Sequence, residues 1–173
     1  MKTLITLPCL ALCACGAVNP VTALRLATLD PLTADPGAFI VRLDLPDGVG
    51  IEDGGATLSM QATRGADTRG GTFDIVETVP GSDIWRIAPD QLDALRSAQS
   101  TIAAWEAEAP DETTGSLSVD VRPCQLGDGP AETATLSVFL QLEPGGPFAP
   151  LLSEVAVRDL TDGAMLPACD RGP

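Results

Sequence analysis

One segment of this 173-residue chain, from Pro89 to Glu108, has apolar residues at helical spacing, whereas the segments around it alternate as strands do. Proline at the first helical position and acidic residues in the first turn are typical of a helix N-terminus. At about 100° per residue, one face of this helix carries Leu92, Leu95, Ala98, Ile102 and Trp105. The opposite face carries Asp93, Ser97, Ser100 and Ala104. The pattern predicts one amphipathic helix that covers a sheet-rich body, although Gln99 and Glu106 interrupt the apolar face.

Short runs with an apolar residue at every second position fill most of the remaining chain and predict half-buried strands. The clearest runs are Phe39, Val41, Leu43 and Leu45, and Leu136, Val138, Leu140 and Leu142. Residues 23–29 predict a first strand, whereas the polar, glycine-containing stretches 46–55 and 64–71 predict a turn and a loop. About eight short strands and one helix predict a mainly β fold, an antiparallel β-sandwich or partly closed barrel. An α+β sheet is the alternative, and either fold occupies a single domain, 23–173.

The residue types that the chain lacks exclude several kinds of catalysis. The chain contains no His and no Tyr, and its single lysine is Lys2. Once the N-terminal segment that contains Lys2 is removed, the chain has no residue for a His-containing catalytic triad, an imidazole base, a Schiff base, a P-loop lysine or a phenolic acid. Carboxylate chemistry remains, so a small hydrolase of envelope glycan is an alternative to a protein without enzymatic activity.

Charge and spacing also argue against several ligands. The formal net charge of −14 repels phosphate groups, so we expect no nucleic acid partner. The acidic glycine loops, around 47–53 and 159–162, lack the ligand spacing of a calcium loop. We expect neither a metal site nor a cofactor.

The N-terminal residues have the pattern of an export signal. A short basic stretch, Met1-Lys2-Thr3, precedes an apolar run that is too short to span a bilayer. The stretch Leu12-Cys13-Ala14-Cys15-Gly16 resembles the lipobox of bacterial lipoproteins, with leucine three positions before the cysteine and a small residue directly before it.

This resemblance implies a signal peptide at 1–14, a diacylglyceryl group on the thiol of Cys15, and a tether at 15–22. Gly16, rather than Asp, resembles the pattern for delivery to the outer membrane, which implies an anchor at its periplasmic face. The alternative is cleavage after Ala23, which follows Val21-Thr22 and would leave a soluble periplasmic protein.

Two cysteines, Cys124 and Cys169, lie outside the export segment. In an oxidising compartment such a pair usually forms a disulfide, so we expect these two residues to be linked.

A partner surface is predicted at Phe139 and Phe148. Alternation places Phe139 on the outer face of its strand, and Phe148 lies in an unusually apolar loop that follows. Alternatively, Phe139 packs under the helix and Phe148 plugs the open end of the sandwich. The sequence thus favours a non-enzymatic binding or structural module, joined to the membrane by its lipid and contacting an envelope protein. A carrier of a hydrophobic ligand, held between sheet and helix, is a further alternative.

Overall fold

The computed structural model describes residues 30–161 and 164–169, and there the chain is mainly β. Seven antiparallel strands form one nearly closed, barrel-like sheet in the order β5-β2-β3-β4-β1-β6-β7, with one main helix. The strands are β1 (Ile40–Asp44), β2 (Val49–Arg64), β3 (Asp67–Glu77), β4 (Ile84–Ile87), β5 (Thr114–Gln125), β6 (Thr135–Gln141) and β7 (Ala149–Ala156). The predicted mainly β fold is confirmed. The strand predicted at 23–29 lies outside the described residues.

The predicted helix is confirmed, with a 3-10 turn at Pro89–Gln91 followed by α1 (Leu92–Glu108). Its apolar face packs on the sheet, and its predicted polar face is exposed. Gln99, which interrupts the apolar face, is nevertheless buried, because its Nε2 donates to the carbonyl oxygens of Pro31 at 2.7 Å and Ala34 at 2.8 Å. A second, short helix is α2 (Val157–Leu160). No helix in the described ranges is long and apolar enough to cross a bilayer.

One hydrophobic core joins the inner face of the sheet to α1. The buried side chains that α1 contributes are Leu95, Ala98 and Ile102. Those from the sheet include Val41, Leu43, Leu58, Met60, Phe73, Ile75, Leu136, Val138 and Leu140. These are the in-phase residues that alternation predicts, and they fix the register of every central strand. On the edge strand β5 the corresponding residues, Leu117, Val119 and Val121, are only half-buried because no strand of the described chain covers their far side.

Two predicted connections are shorter than expected. β2 begins at Val49, inside the predicted turn 46–55, and β3 begins at Asp67, inside the predicted loop 64–71. The first residues of β3, Asp67–Gly70, are polar or glycine and all exposed, so they show no alternation, whereas the paired arm of β2 keeps Met60 and Ala62 buried. Gly70 belongs to β3 with φ at 121°, where a Cβ would collide with the carbonyl oxygen of Met60.

Candidate binding cleft

The two neighbours of β3 pair with different parts of it, and the sheet opens where the pairing with β2 ends. Its first part, Asp67–Asp74, pairs with β2, whereas its last part, Ile75–Glu77, pairs only with β4. The first part of β2, 49–56, pairs with β5 and has no partner on β3. β2 and β3 therefore separate beyond the Thr57–Asp74 pair and leave a fork between them.

A bulge in β2 explains this separation. Between the pairs Ile51–Pro123 and Ala56–Val121, β2 has residues 52–55 where β5 has Arg122 alone. Extra residues in one strand bend that strand away from its neighbours. The Arg122 side chain holds the bulge, since its Nε donates to Glu52 Oε2 at 3.0 Å and its Nη2 to the Gly54 carbonyl oxygen at 2.9 Å.

A cleft of about 890 Å³ occupies the fork. Its floor is apolar and belongs to the core, with Leu43, Val49 and Ile75 buried and Ile51 and Trp85 half-buried. A volume of this size lies within the range of ligand sites in proteins, and an apolar floor with polar groups around it is their usual composition.

The charged side chains that line this cleft are all acidic. They are Glu52, Asp53, Asp74, Glu77, Asp83 and Asp90. Glu52 is paired with Arg122, and Asp74 accepts a hydrogen bond from Gln91 Nε2 at 2.8 Å. The other four make no ion pair with any residue in the described part of the chain. Carboxylates around a low-dielectric floor concentrate negative potential, so this cleft attracts cations and repels phosphates.

The sequence did not predict this cleft. Its acidic residues come from the β2 bulge, the end of β3, the turn before β4 and the turn before α1, and no spacing in the sequence relates them. The one feature of the sequence that coincides with the cleft is the glycine-rich acidic stretch 50–55, and its composition is that of an ordinary turn.

The predicted disulfide joins Cys124 to Cys169, with the Sγ atoms 2.00 Å apart, and lies beside the cleft. The C-terminal residues that it holds also pair with the end of β5. Gln125 donates its N–H to the Pro167 carbonyl oxygen at 2.7 Å and accepts from the Cys169 N–H at 3.0 Å. Cys169 and Leu126 form one wall of the cleft, so the disulfide fixes part of its shape.

The two predicted surface phenylalanines come together on the outer face of the sheet, on either side of Arg42. The Arg42 guanidinium carbon lies 4.1 Å from the ring centroid of Phe139 and 4.9 Å from that of Phe148. Arg42 is also paired with Asp44 at 2.9 Å. Both phenylalanines are half-buried, and neither belongs to the core. Phe139 does not lie under α1. The Arg42 guanidinium covers part of the apolar surface that was predicted at Phe139 and Phe148.

A smaller cleft of about 400 Å³ lies between α1 and the open edge of the sheet. Met60, Ile102 and Leu117 supply its apolar lining, and Glu106 stands at its side. This is the position, between sheet and helix, where the sequence places the cavity of a hydrophobic-ligand carrier.

The predicted lipid-attachment residue, Cys15, lies outside the described residues. Within residues 30–161 and 164–169, no group of three or more acidic, cysteine or histidine side chains is arranged to hold a metal ion. Comparison of the chain with family models, with curated proteins and with solved structures gave no match.

Proposed function

We propose that this chain is a non-enzymatic binding module of the bacterial cell envelope, anchored in the membrane through a lipid on Cys15, and that its fork cleft holds a cationic partner. The export segment supports the location. The observation that carries the binding role is the cleft itself, which combines an apolar floor with five carboxylates that lack an ion pair in the described structure. A partner with positive and apolar groups complements both features.

Trp85 provides a direct test, because it lies in the cleft and the chain has only one other tryptophan, Trp105. In a Trp105→Phe background, the fluorescence of Trp85 is titrated with the peptide Ac-Arg-Val-Arg-Val-Arg-NH2. We expect a saturable change that weakens as salt is added, since ions screen exposed charge pairs. The peptide Ac-Glu-Val-Glu-Val-Glu-NH2 should produce no change.

Charge-neutralising variants test the position of the site. Changing Glu77, Asp83 or Asp90 to its amide should weaken binding of the arginine peptide by about two- to threefold per charge, the usual effect of an exposed ion pair. Asp111→Asn is the matched control, because Asp111 is exposed in the connection after α1 and does not line the cleft. If the control weakens binding as much as the three cleft variants, the peptide responds to net charge alone and the proposed site is wrong.

A second candidate function, transport or sequestration of a hydrophobic ligand, is favoured by the apolar cleft between α1 and the sheet. Its volume of about 400 Å³ suits a small apolar molecule. A fluorescent fatty acid should then bind, and Leu117→Glu should abolish binding because a carboxylate on the apolar wall opposes an apolar chain. Binding that is unchanged in this variant would exclude the smaller cleft as the carrier site.

A further inference from the structure

The main chain of β3 changes its surroundings where the sheet divides. The Asp74 carbonyl oxygen accepts from the Ala88 N–H, and the Thr78 N–H donates to the Ile84 carbonyl oxygen, both at 2.9 Å. In an antiparallel ladder, alternate residues direct their N–H and C=O groups to opposite sides. Since Asp74 and Thr78 face β4, the main-chain groups of Ile75 and Glu77 face the fork.

Only the Ile75 N–H among these groups has a partner on β2. Thr57 and Asp74 form the last β2–β3 pair, and because Asp74 faces β4, this pair is held by a hydrogen bond from the Ile75 N–H to the Ala56 carbonyl oxygen, beyond which β2 bends away at its bulge. The Ile75 C=O and both main-chain groups of Glu77 therefore form a short strand edge without a partner in the described chain. Unpaired strand edges are the usual sites at which an extended peptide adds to a sheet.

We propose that the fork cleft takes an extended polypeptide segment with basic side chains, which adds as a strand to the edge of β3 at Ile75–Glu77. This inference rests on the proposed binding function and specifies its partner. At about 3.3 Å per residue, a five-residue segment spans roughly 17 Å. Alternate side chains of such a segment contact the apolar floor at Ile75 and Trp85, and basic side chains between them reach the carboxylates around the cleft.

The unpaired edge favours a peptide over other cations. Glu77 presents one N–H donor and one C=O acceptor, and Ile75 adds a second C=O acceptor at strand spacing. A polyamine supplies donors alone and would leave the Glu77 N–H without a partner, whereas an extended peptide supplies donors and acceptors in alternation. Charge complementarity brings either ligand to the cleft, but the main chain of β3 distinguishes between them.

Hydrogen exchange of single amides tests the inference. The full chain, exported and processed by its host, is placed on uncharged phosphatidylcholine vesicles, and exchange at 75–77 is followed by mass spectrometry with fragmentation. Saturating arginine peptide should slow exchange of the Glu77 amide by about tenfold or more, because exchange then requires release of the peptide. Ile75 and Val76, whose amides bond to β2 and β4, are internal controls and should change little. Spermine should bind with similar salt dependence and leave exchange of the Glu77 amide unchanged.

Methylation of the peptide main chain gives a second test without changing the protein. One peptide carries N-methyl groups on its two valines and a second carries them on its third and fifth residues, both arginines. Only one of these sets can face β3, so one peptide should lose about tenfold in affinity, from two hydrogen bonds, and the other should lose little.

The outcomes of these tests distinguish a failure of strand addition from a failure of the proposed binding function. Charge-dependent binding without protection of the Glu77 amide, or equal losses from both methylated peptides, would overturn strand addition and leave a cationic binding site. Absence of binding would overturn both. A Glu77 amide that is already protected before peptide is added would show that another segment of this chain occupies the edge, which would also overturn the inference.

Discussion

Removal of the disulfide is expected to cost a large part of the stability of this domain. Cys124 and Cys169 are 45 residues apart, and β6, β7 and α2 lie between them. In the chain-entropy model, a closed loop of this length lowers the entropy of the unfolded chain by about 13 cal/mol/K, which is about 4 kcal/mol at 25 °C. Cys169→Ala removes the bond while it leaves the buried Cys124 side chain in place, so no cavity is added at that position.

Urea unfolding followed by circular dichroism measures this loss. With a slope of about 2 kcal/mol/M for a domain of this size, the midpoint should fall by about 2 M. Met165→Ala is the matched control, because Met165 belongs to the same C-terminal segment and is 93% exposed. If mass spectrometry finds the bond in the parent protein and the Cys169→Ala midpoint moves by less than about 0.3 M, the loop-entropy argument is refuted for this protein.

Three further predictions test the helix, the anchor and the outer face. Leu95 is fully buried on the inner face of α1, so Leu95→Ala should cost about 2–5 kcal/mol in the free energy of unfolding. Ser97→Ala on the exposed face should be nearly silent, and equal losses would contradict the packing. Cys15→Ser should abolish incorporation of radioactive fatty acid and leave uncleaved precursor, and a parent protein that takes up no label would disprove lipidation. Phe139→Leu should cost about 0.5–1 kcal/mol through loss of its contact with Arg42, and the loss should vanish in an Arg42→Ala background, as a double-mutant cycle would show.

Apolar periodicity predicted the elements that are packed against the core. The helix, the strand β4 and the inward residues of β1, β2 and β6 agree with it, because burial of one face imposes a period of 3.6 or 2 on the sequence. The first residues of β3, Asp67–Gly70, are all exposed, so burial imposes no alternation on them and they have the composition of a loop.

The cleft depends on strand register, which composition does not reveal. Its shape follows from the four residues of β2 that oppose Arg122 alone and from the end of the β2–β3 ladder at Asp74. In the sequence, glycines and acids at 52–55 are equally suited to a turn. The outer-face cluster was partly predictable, since alternation places Phe139 outward, but its contact with Arg42 follows from the pairing of these two residues across β1 and β6.

The long strand β2 also separates the N-terminal end of the described domain from the cleft. Pro31, near the first described residue, lies beside Met60, whereas the bulge and its cleft lie at the other end of the strand, near Glu52. On the paired strand β5, five residues, from Leu117 to Arg122, cover this span, a distance of roughly 17 Å at about 3.3 Å per residue. A lipid attached upstream of Pro31 would therefore be joined to the domain at the end opposite the open fork. A partner could then approach the cleft from the aqueous side without displacing the domain from its membrane.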